Sequence, residues 1–394
     1  MSQKSILVIH HGDPIAYPPL MHALQQLSHS GYQITLLGCQ PDQGRPLLFP
    51  PDLQLTRHLT AAAPIGGSWR ARLGRTWHWL WLIFNATWLA IKLRPHWIYL
   101  SNPASIVIAL PARLLTRART LYQEHDSIEP QVKNESPARR WQRWLRLRIL
   151  KRAHIVVFPN AGRLAVARAQ AGPGAGIDLV IWNVAPLAEA LSAPIKQPND
   201  GALLRLHFHG SMSKFAVPLA LIDALAKVPK VTFQFASYEI GGRQHTEQVL
   251  ARARHLGISE SVIDLGTLSS RPALLAATQN ADVGLAFYSE SPKNVNHFNM
   301  AGATNKIFDY LGAGLALLCS NGAQWKGDFI PHFGVSADPE NPDEIAAALR
   351  QLLDQTRTPS QLGRLGQEQI INFWHFEALF QPVLSALARA DSQD

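Results

Sequence analysis

The side chains of this sequence that are best placed for chemistry lie between Asn296 and Leu318. A loop of small residues, Ala301 to Thr304, leads into Asn305 and Lys306, and an amphipathic stretch follows. A loop without bulky side chains lets backbone N–H groups approach an anion, and the start of a helix adds positive charge. Because a cation in the first turn disfavours an isolated helix, we predict that Lys306 faces a ligand phosphate. Asp309, one turn later, can accept hydrogen bonds from sugar hydroxyls.

On spacing alone, the alternative is an ordinary turn before a helix, with the lysine in solvent. The segment also closely resembles the donor-binding motif of retaining glycosyltransferases of family 4, in the variant (S/T)NK-x-F-(D/E)-Y-L-x-x-G. The matching residues are Asn305, Lys306, Phe308, Asp309, Tyr310, Leu311 and Gly314.

In that family the acidic residue binds the nucleotide ribose and the helix start faces the diphosphate, which the resemblance implies for Asp309 and Lys306. One departure concerns the donor sugar. Many members hold it with a glutamate eight residues earlier, where this chain has Ala301. The resemblance then implies that sugar contacts come from elsewhere, for example from the backbone of Asn299 to Ala303, and the identity of the sugar stays open.

A second strand-to-helix junction, Gly210 to Lys214, also combines a glycine with a lysine, a combination that suits a diphosphate. In the resembling family this turn reads Gly-Arg with a lysine several residues later, whereas here Ser211 replaces the arginine and the lysine comes early. Glu239 lies in a glycine-ended turn at the same predicted sheet edge, in a region that frames the base in relatives. The candidate donor-binding residues are Gly210, Ser211, Lys214, Glu239, Asn305, Lys306 and Asp309.

In the first half of the chain, a turn containing Gly12 and Asp13 follows the first strand, and Glu124-His125-Asp126 follows a later one. Both turns lie at the carboxyl edge of the predicted sheet, where such folds bind ligands. A neighbouring carboxylate can orient or charge the His125 ring. The stretch YQEHD is similar to the acceptor-domain "HD" turn of family 4 relatives. We therefore place the acceptor near Gly12, Asp13 and Asp126, with His125 and Lys306 as catalytic candidates; a plain tight turn and a structural histidine are the alternatives.

Two histidine pairs, His10/His11 and His207/His209, lack the cysteine or carboxylate companions of a metal site, so we interpret them as strand residues and expect no metal. Cys39 and Cys319 are far apart in apolar contexts and are predicted to be reduced thiols of a cytosolic protein. The apolar run Ile6 to Ile9 is too short for a signal peptide, and no stretch is long enough for a transmembrane helix.

Tryptophan and basic residues are interleaved between Ser68 and Trp97, in a chain of 394 residues with a formal net charge of +9. Tryptophan beside arginine suits a membrane interface. A sheet-covering helix with an aromatic core face is the alternative, and nucleic-acid binding is disfavoured by the apolar run Leu80 to Phe84. A basic amphipathic helix with no acidic residue, Pro137 to His154, is predicted to meet anionic lipid or an acceptor phosphate. The predicted membrane-contact residues are Trp77, Trp81, Trp88, Arg140, Trp141, Arg143 and Trp144.

Strands and helices alternate along the whole chain, which predicts two doubly wound α/β domains. With the resemblance, this becomes the GT-B fold, two Rossmann-like domains facing a cleft. The predicted divisions are an acceptor-binding domain (1–185), a linker rich in proline (186–201), a donor-binding domain (202–375) and a C-terminal helix (376–394) that crosses back to the first domain. Helical spacing predicts one continuous helix from Gln361 to Leu379.

The function implied by the resemblance is transfer of a sugar, of the hexosyl type, from a nucleotide-diphosphate donor to a hydroxyl acceptor with retention. The expected acceptor is a saccharide or a lipid-linked or polysaccharide precursor, and the expected location is peripheral, on the inner face of the cell membrane. No nucleic-acid partner and no metal are expected, since lysines and helix ends can carry the diphosphate charge. A nucleotide-sugar epimerase of the same architecture and a non-catalytic membrane-associated scaffold are the alternatives.

Overall fold

The computed structural model describes residues 4–40, 49–50, 52–64, 66–127, 135–193, 203–239, 241–268, 270–289, 291, 294–354 and 358–392. The chain divides into two compact units, Met1–Asn183 with Leu379–Asp394, and Val184–Ala378. Residues 194–201 of the predicted linker lie outside the described residues.

The first unit is built on a seven-stranded parallel sheet in the order β3-β2-β1-β4-β5-β6-β7. Its strands are β1 (Ser5–Ile9), β2 (Gln33–Cys39), β3 (Leu55–Thr60), β4 (Trp97–Leu100), β5 (Arg119–Gln123), β6 (Ile155–Phe158) and β7 (Ile177–Val180). Its helices are α1 (Pro18–His29), α2 (Trp69–Leu93), α3 (Pro103–Ile108), α4 (Leu110–Leu115), α5 (Pro137–Arg152) and α6 (Ala161–Ala171).

The second unit contains a six-stranded parallel sheet in the order β10-β9-β8-β11-β12-β13. Its strands are β8 (Leu204–Ser211), β9 (Val231–Tyr238), β10 (Val262–Asp264), β11 (Val283–Ala286), β12 (Ala316–Ser320) and β13 (Gly334–Ala337). Its helices are α7 (Leu187–Ser192), α8 (Leu219–Ala226), α9 (Gln244–His255), α10 (Arg271–Gln279), α11 (Val295–Phe298), α12 (Lys306–Gly312), α13 (Pro342–Leu353) and α14 (Pro359–Asn372). The two parallel α/β sheets confirm the predicted fold class.

The predicted continuous helix from Gln361 to Leu379 is wrong, because α14 ends at Asn372 and α15 (Phe376–Asp391) begins after a break. The break places the Trp374 ring against the rings of Phe329 and Phe333, at centroid distances of 5.5 and 5.6 Å. Packing of this indole therefore overrides local helical spacing.

The end of α15 is attached to the first unit through Asp391. Its carboxylate accepts hydrogen bonds from the Trp97 indole and the Tyr32 hydroxyl, both at 2.8 Å, and lies 3.7 Å from Arg119. The Lys4 ammonium donates to its carbonyl oxygen at 3.4 Å. Because these groups come from separate segments, a single acidic residue fixes the C-terminal helix to this unit.

Helices α2 and α5 share one hydrophobic core, in which Leu82 and Leu89 of α2 lie with Leu145 and Ile149 of α5. Both helices therefore cover the same face of the first sheet. The alternative of a sheet-covering helix is right for the buried face of α2, but that face is mainly aliphatic: Trp79 packs against the core, whereas the other four tryptophans of α2 are exposed. The exposed large apolar residues of α2 include Trp69, Leu73, Trp77, Leu80, Trp81, Phe84, Trp88 and Ile91.

These outward residues recur every three or four positions, so they form one stripe along α2; we call this set the α2 stripe. On α5, Trp141 and Trp144 are also exposed, and Arg148 lies over the Trp144 ring at 4.0 Å. Arg143 is the exception among the predicted contacts, because its guanidinium is paired with Glu135 at 2.6 Å. In the part of the chain that the structure describes, no helix is both long and apolar enough to span a bilayer.

Glu124 and Arg146 form a fully buried ion pair between the end of β5 and α5. Two guanidinium nitrogens of Arg146 lie 2.6 Å from the two carboxylate oxygens, and the Tyr122 hydroxyl donates to one of them. Burial of two charges is costly unless they are paired and hydrogen-bonded, as they are here. The pair thus fixes α5 on the sheet. It also engages the Glu124 carboxylate, which is therefore not available to hydrogen-bond the His125 ring.

We expect Glu124→Gln to lower the free energy of unfolding by about 3–5 kcal/mol, because it leaves the Arg146 charge buried and uncompensated. Chemical denaturation measures the loss. The matched control is Asp52→Asn, which removes the exposed contact of Asp52 with His29 at 3.0 Å and should cost less than about 1 kcal/mol. Equal effects of the two substitutions contradict this account.

Candidate functional site

A cavity of about 470 Å³ lies at the carboxyl edge of the second sheet. Its walls are formed by the end of β8, the start of α10, the loop after β11 and the start of α12. Of the predicted donor-binding residues, Gly210, Ser211, Asn305, Lys306 and Asp309 line it together. The sequence thus brings two separate motifs, about a hundred residues apart, to one site.

Lys306 contributes the positive charge of this cavity. Its ammonium nitrogen lies 4.3 Å from the centroid of the Phe208 ring and 5.2 Å from that of Tyr288. Burial lowers the pKa of Lys306 to about 7, against the opposing field of Asp309. Among the described residues, no carboxylate lies within ion-pair distance of it. A desolvated cation without a counter-charge is costly, so the cavity favours an anionic ligand.

Gly210 makes room for the lysine. Its backbone is in the left-handed region, with φ of 120°, and a Cβ atom at this position would lie 3.4 Å from the Lys306 ammonium. A larger residue would therefore be strained and would crowd the cation.

Asp309 is held by two residues that the sequence analysis did not select. Arg271, the first residue of α10, donates to both of its carboxylate oxygens, at 2.7 and 3.2 Å, and the His209 ring lies 3.2 Å away. Although burial disfavours its ionised form, Arg271 and His209 hold the pKa of Asp309 well below its usual value. Arg271 also binds Glu189 of α7 at 2.6 Å. Much of the hydrogen-bonding capacity predicted for a ribose is therefore already used by protein groups.

The aromatic residues of the motif serve the packing of α12. The Tyr310 hydroxyl accepts a hydrogen bond from the His209 backbone N–H at 3.2 Å, and its ring fills the space beside Gly284, where a Cβ would lie 2.2 Å from it. Phe308 packs against Phe329 at 6.0 Å. These contacts hold the start of α12, and hence Lys306, at the sheet edge.

The expectation that the backbone of Asn299 to Ala303 contacts the ligand is wrong for the N–H groups of Met300, Ala301 and Ala303, because these donate hydrogen bonds within the protein. The N–H groups of Met300 and Ala301 donate to the side-chain oxygen of Gln324, at 2.6 and 3.0 Å. Those of Ala303 and Thr304 donate to the Met300 carbonyl. Helix α12 also spans only seven residues. The polar side chains that line the cavity, among them Ser211, Asn305 and Lys306, therefore supply chemistry that these four engaged N–H groups do not.

Two predicted donor-binding side chains lie elsewhere. Lys214 is exposed, with its ammonium 5.1 Å from the centroid of the neighbouring Phe215 ring, and is not part of the cavity wall. The Glu239 carboxylate accepts hydrogen bonds from the backbone N–H groups of His245 and Thr246, at 2.7 and 3.1 Å. It caps the start of α9, and these bonds lower its pKa.

In the first unit, three rings meet at the carboxyl edge of the sheet. Tyr17 lies between His10 and His125, with centroid distances of 4.8 and 5.4 Å. His10 Nδ1 is 2.5 Å from the Ser101 hydroxyl, whereas His10 Nε2 and both ring nitrogens of His125 are buried without a hydrogen-bond partner among the described residues. The expectation that Glu124 or Asp126 orients the His125 ring is therefore wrong.

Burial lowers the pKa of His10 to about 3, assisted by His125, and that of His125 to about 4, against Asp126. Both rings are therefore neutral at physiological pH. Because buried polar nitrogens are nearly always satisfied, neutral rings of this kind suit a ligand hydroxyl.

The other acceptor-side candidates surround these rings. Gly12 has φ of 126°, a conformation that favours glycine. The Asp13 carboxylate accepts from the Ile15 N–H at 2.9 Å and so caps the short 3₁₀ turn Pro14–Ala16. Asp126 is exposed and lies 3.3 Å from Arg163, which also donates to the His125 carbonyl. All three keep surface that a ligand can reach, since Gly12 and Asp13 are partly exposed and Asp126 is exposed.

Comparisons with protein-family models and with curated sequences find no match. Solved structures do match over nearly the whole chain. Sucrose-phosphate synthase from Thermosynechococcus elongatus has a TM-score of 0.72 at 16% identity, covering 99% of this chain and 100% of that one. HepE from Anabaena, in complex with UDP, has a TM-score of 0.70 at 18% identity, covering 98% and 100%.

A putative UDP-N-acetylglucosamine 2-epimerase from Listeria monocytogenes has a TM-score of 0.66 at 11% identity, covering 100% of this chain and 98% of that one. At such identities the likeness establishes the fold. This chain has the two-domain α/β fold of GT-B glycosyltransferases, with seven parallel strands in one unit and six in the other.

We expect Lys306→Met to stabilise the ligand-free protein by about 1–2 kcal/mol at pH 7, because methionine removes a desolvated charge from an apolar setting. The folded-state pKa of about 7 lies below the ordinary lysine value of 10.5. The unfolded chain therefore binds more protons between these values, and wild-type stability should rise with pH across that window.

Thermal or chemical unfolding of both proteins at several pH values measures the difference, which should shrink as pH rises. A stability loss in Lys306→Met at pH 7, or a difference independent of pH, means that the lysine is structural.

Proposed function

We propose that this chain is a retaining glycosyltransferase that moves a hexosyl group from a nucleotide-diphosphate sugar to a hydroxyl acceptor. The observation that carries the proposal is the half-buried Lys306 ammonium, which faces a cavity of about 470 Å³ without a carboxylate partner among the described residues. A diphosphate supplies the missing charge, and a cavity of this size lies within the ~300–1,000 Å³ usual for small-molecule sites.

The second unit is the donor-binding part of this proposal. HepE, whose fold this chain shares, was solved with UDP and with UDP-glucose. Lys306 binds the diphosphate, Asn305 and Ser211 supply hydrogen bonds, and Gly210 lets the phosphates approach the end of β8. Asp309 retains acceptor capacity for a ribose hydroxyl beside its bonds to Arg271, since a carboxylate has about four lone-pair sites.

In the reaction, the bond between the anomeric carbon and the diphosphate oxygen breaks, and its electron pair stays on the diphosphate. The acceptor hydroxyl oxygen forms the new bond on the same face, and its proton passes to the departing diphosphate. Negative charge develops on that diphosphate, so a fixed ammonium at Lys306 stabilises the transition state. No protein base and no metal is required. Retention is supported by the resemblance of the Asn305 to Gly314 segment to family 4.

The first unit presents the acceptor. The neutral rings of His10 and His125, with their unsatisfied nitrogens, bind hydroxyl groups near Gly12 and Asp126. His125 is the catalytic candidate on this side, where it orients a reacting hydroxyl without taking its proton. His10 and Tyr17 add to the predicted set.

We also propose that the protein attaches peripherally to the anionic inner face of the cell membrane. The α2 stripe and the exposed tryptophans of α5 cover the same face of the first sheet, with Arg140 and Arg148 among them. The 71 residues from Leu53 to Gln123 contain no acidic side chain. Aromatic rings at headgroup depth and cations toward anionic lipid explain both features.

An epimerase is the second candidate, because an epimerase structure also matches this fold. It needs no acceptor, so incubation with donor alone separates the two: a changed sugar on the nucleotide identifies an epimerase. Transfer to an acceptor, with the anomeric configuration of the product read by NMR, establishes a transferase and tests retention. Donor binding without either product identifies a non-catalytic scaffold, an alternative that the alanine at position 301 leaves open.

We expect UDP to bind with proton uptake above pH 7, because the phosphates raise the pKa of Lys306 from about 7. Between pH 7.5 and 9 the affinity should fall by up to about tenfold per pH unit. Lys306→Arg stays charged and should remove this pH dependence while keeping every other titratable group. Lys306→Met should weaken binding by roughly 10- to 100-fold at pH 7.

Isothermal titration calorimetry measures these affinities, and proton uptake follows from buffers of different ionisation enthalpy. The matched control is Lys214→Met, which removes an exposed lysine outside the cavity and should change affinity less than about threefold. Equal losses in Lys214→Met and Lys306→Met place the diphosphate elsewhere.

For membrane attachment we expect saturable binding to vesicles with anionic lipid and weak binding to zwitterionic ones. Replacing Trp77, Trp81 and Trp88 together by serine should weaken binding at least about tenfold, since each half-exposed ring contributes roughly 1 kcal/mol. Phe373→Ser, which removes an exposed ring of the second unit, is the control and should bind as the wild-type chain does. Vesicle co-sedimentation decides, and unchanged binding of the triple variant refutes the assignment.

A further inference from the structure

A second cavity, of about 630 Å³, lies in the first unit between the end of β3 and helix α2. One side is formed by residues 58–62 and Pro64, and the other by the α2 residues Trp77, His78 and Trp81. Arg75 holds this arrangement by donating to the carbonyls of Gly66 and Pro64, at 2.7 and 3.3 Å. None of its lining residues belongs to the proposed donor-binding or acceptor-binding sets.

The walls are mainly apolar, with four neutral polar residues among them, His58, Thr60, His78 and Asn85. Leu59, Ala62, Pro64, Trp77 and Trp81 supply hydrocarbon and aromatic surface. Among the described residues that line it, no lysine, arginine, aspartate or glutamate is present. A phosphate or carboxylate finds no counter-charge here, whereas a hydrocarbon chain loses only its contact with water, which is favourable.

The cavity is continuous with the α2 stripe. Trp77 is 70% exposed and Trp81 is 47% exposed, and both also form the cavity wall. A lipid hydrocarbon chain that leaves a bilayer at the α2 stripe therefore reaches the cavity along apolar protein surface.

The α2 wall of the cavity also reaches toward the predicted acceptor side. His78 is buried, and its ring centroid lies 6.2 Å from that of His11. His11 precedes Gly12, whose carbonyl accepts from the Cys39 N–H at 2.8 Å. The cavity thus lies between the outward aromatic residues of α2 and the turn after β1.

We propose that this cavity binds one hydrocarbon chain of a lipid-linked acceptor, whose polar head then lies near the turn after β1. The binding of a chain stands by itself, and its acceptor role rests on the proposed sugar transfer. Of the expected acceptors, a lipid-linked precursor is the one that has a hydrocarbon chain for this cavity.

The first test measures chain binding without a bilayer, by fluorescence titration with dansyl-labelled undecanoic acid below its micellar concentration. The wild-type chain should bind saturably with one site. Ala62→Phe fills the cavity from its wall and should weaken binding at least about tenfold, whereas the matched control Ala63→Phe, next to it but outside the wall, should not. Circular dichroism and thermal unfolding verify that both variants are folded.

Asn85→Asp provides a second variant that keeps the volume and adds a carboxylate to the wall. It should also weaken binding of the fatty-acid probe, because a charge in an apolar cavity must stay solvated. Absence of saturable binding by the wild-type chain, or equal binding by Ala62→Phe and Ala63→Phe, overturns the inference.

The second test compares sugar transfer from UDP-glucose to dodecyl and methyl glycosides of the same sugars. The dodecyl acceptors should have a KM at least about tenfold lower, and Ala62→Phe should remove this advantage without changing kcat for the methyl acceptors. Equal KM values overturn the acceptor role while sugar transfer stands. Chain binding in the first test with no transfer to either acceptor, from UDP-glucose or from any other nucleotide sugar that calorimetry shows to bind, refutes the proposed function and the acceptor role together, and leaves a lipid-binding cavity.

Discussion

A half-buried lysine ammonium with no carboxylate partner among the described residues is the constraint on which the proposed donor site depends. The Lys306 nitrogen lies between the Phe208 and Tyr288 rings, and the carboxylate on its own helix, Asp309, is engaged by Arg271 and His209. If Asp309 were turned to the lysine, the charge of the cavity would be neutralised within the protein. The Arg271 contact therefore keeps the carboxylate ionised and the lysine available to an anion.

The motif around Lys306 combines chemistry with packing. Tyr310 and Phe308 are buried, and they hold a helix of seven residues against the sheet. A helix this short has little stability of its own, so its position comes from tertiary contacts. The resemblance to a glycosyltransferase motif thus includes residues that pack the site as well as those proposed to contact a ligand.

The first unit shows a different use of apolar surface. Helix α2 buries small and aliphatic residues such as Ala86 and Leu89, and presents four of its five tryptophans to the outside. A helix that packs on a sheet usually exposes polar residues instead. This contrast is the basis for the proposals that the outward face of α2 contacts lipid and that the cavity bounded by Trp77 and Trp81 binds a hydrocarbon chain.

The sequence by itself determined the alternation of strands and helices, the GT-B class and the small-residue turns before Lys306 and after β8. Apolar runs and helical spacing are local properties, so they can be found without knowing what a segment packs against. Short strands and edge strands were not predicted from these local patterns. Strand β3 is partly exposed, and β13 consists of the small residues Gly334–Ala337, so neither has a strong apolar pattern.

Only the tertiary structure decided which charges meet. Glu124 pairs with Arg146 instead of orienting His125, Arg271 reaches Asp309 from another helix, and Lys214 stays outside the cavity that Lys306 enters. Tertiary contacts also decided that Trp79 packs against the core while the other four tryptophans of α2 face outward. These partners are distant in sequence, and their encounter depends on how the strands are ordered in each sheet, which local residue patterns do not encode.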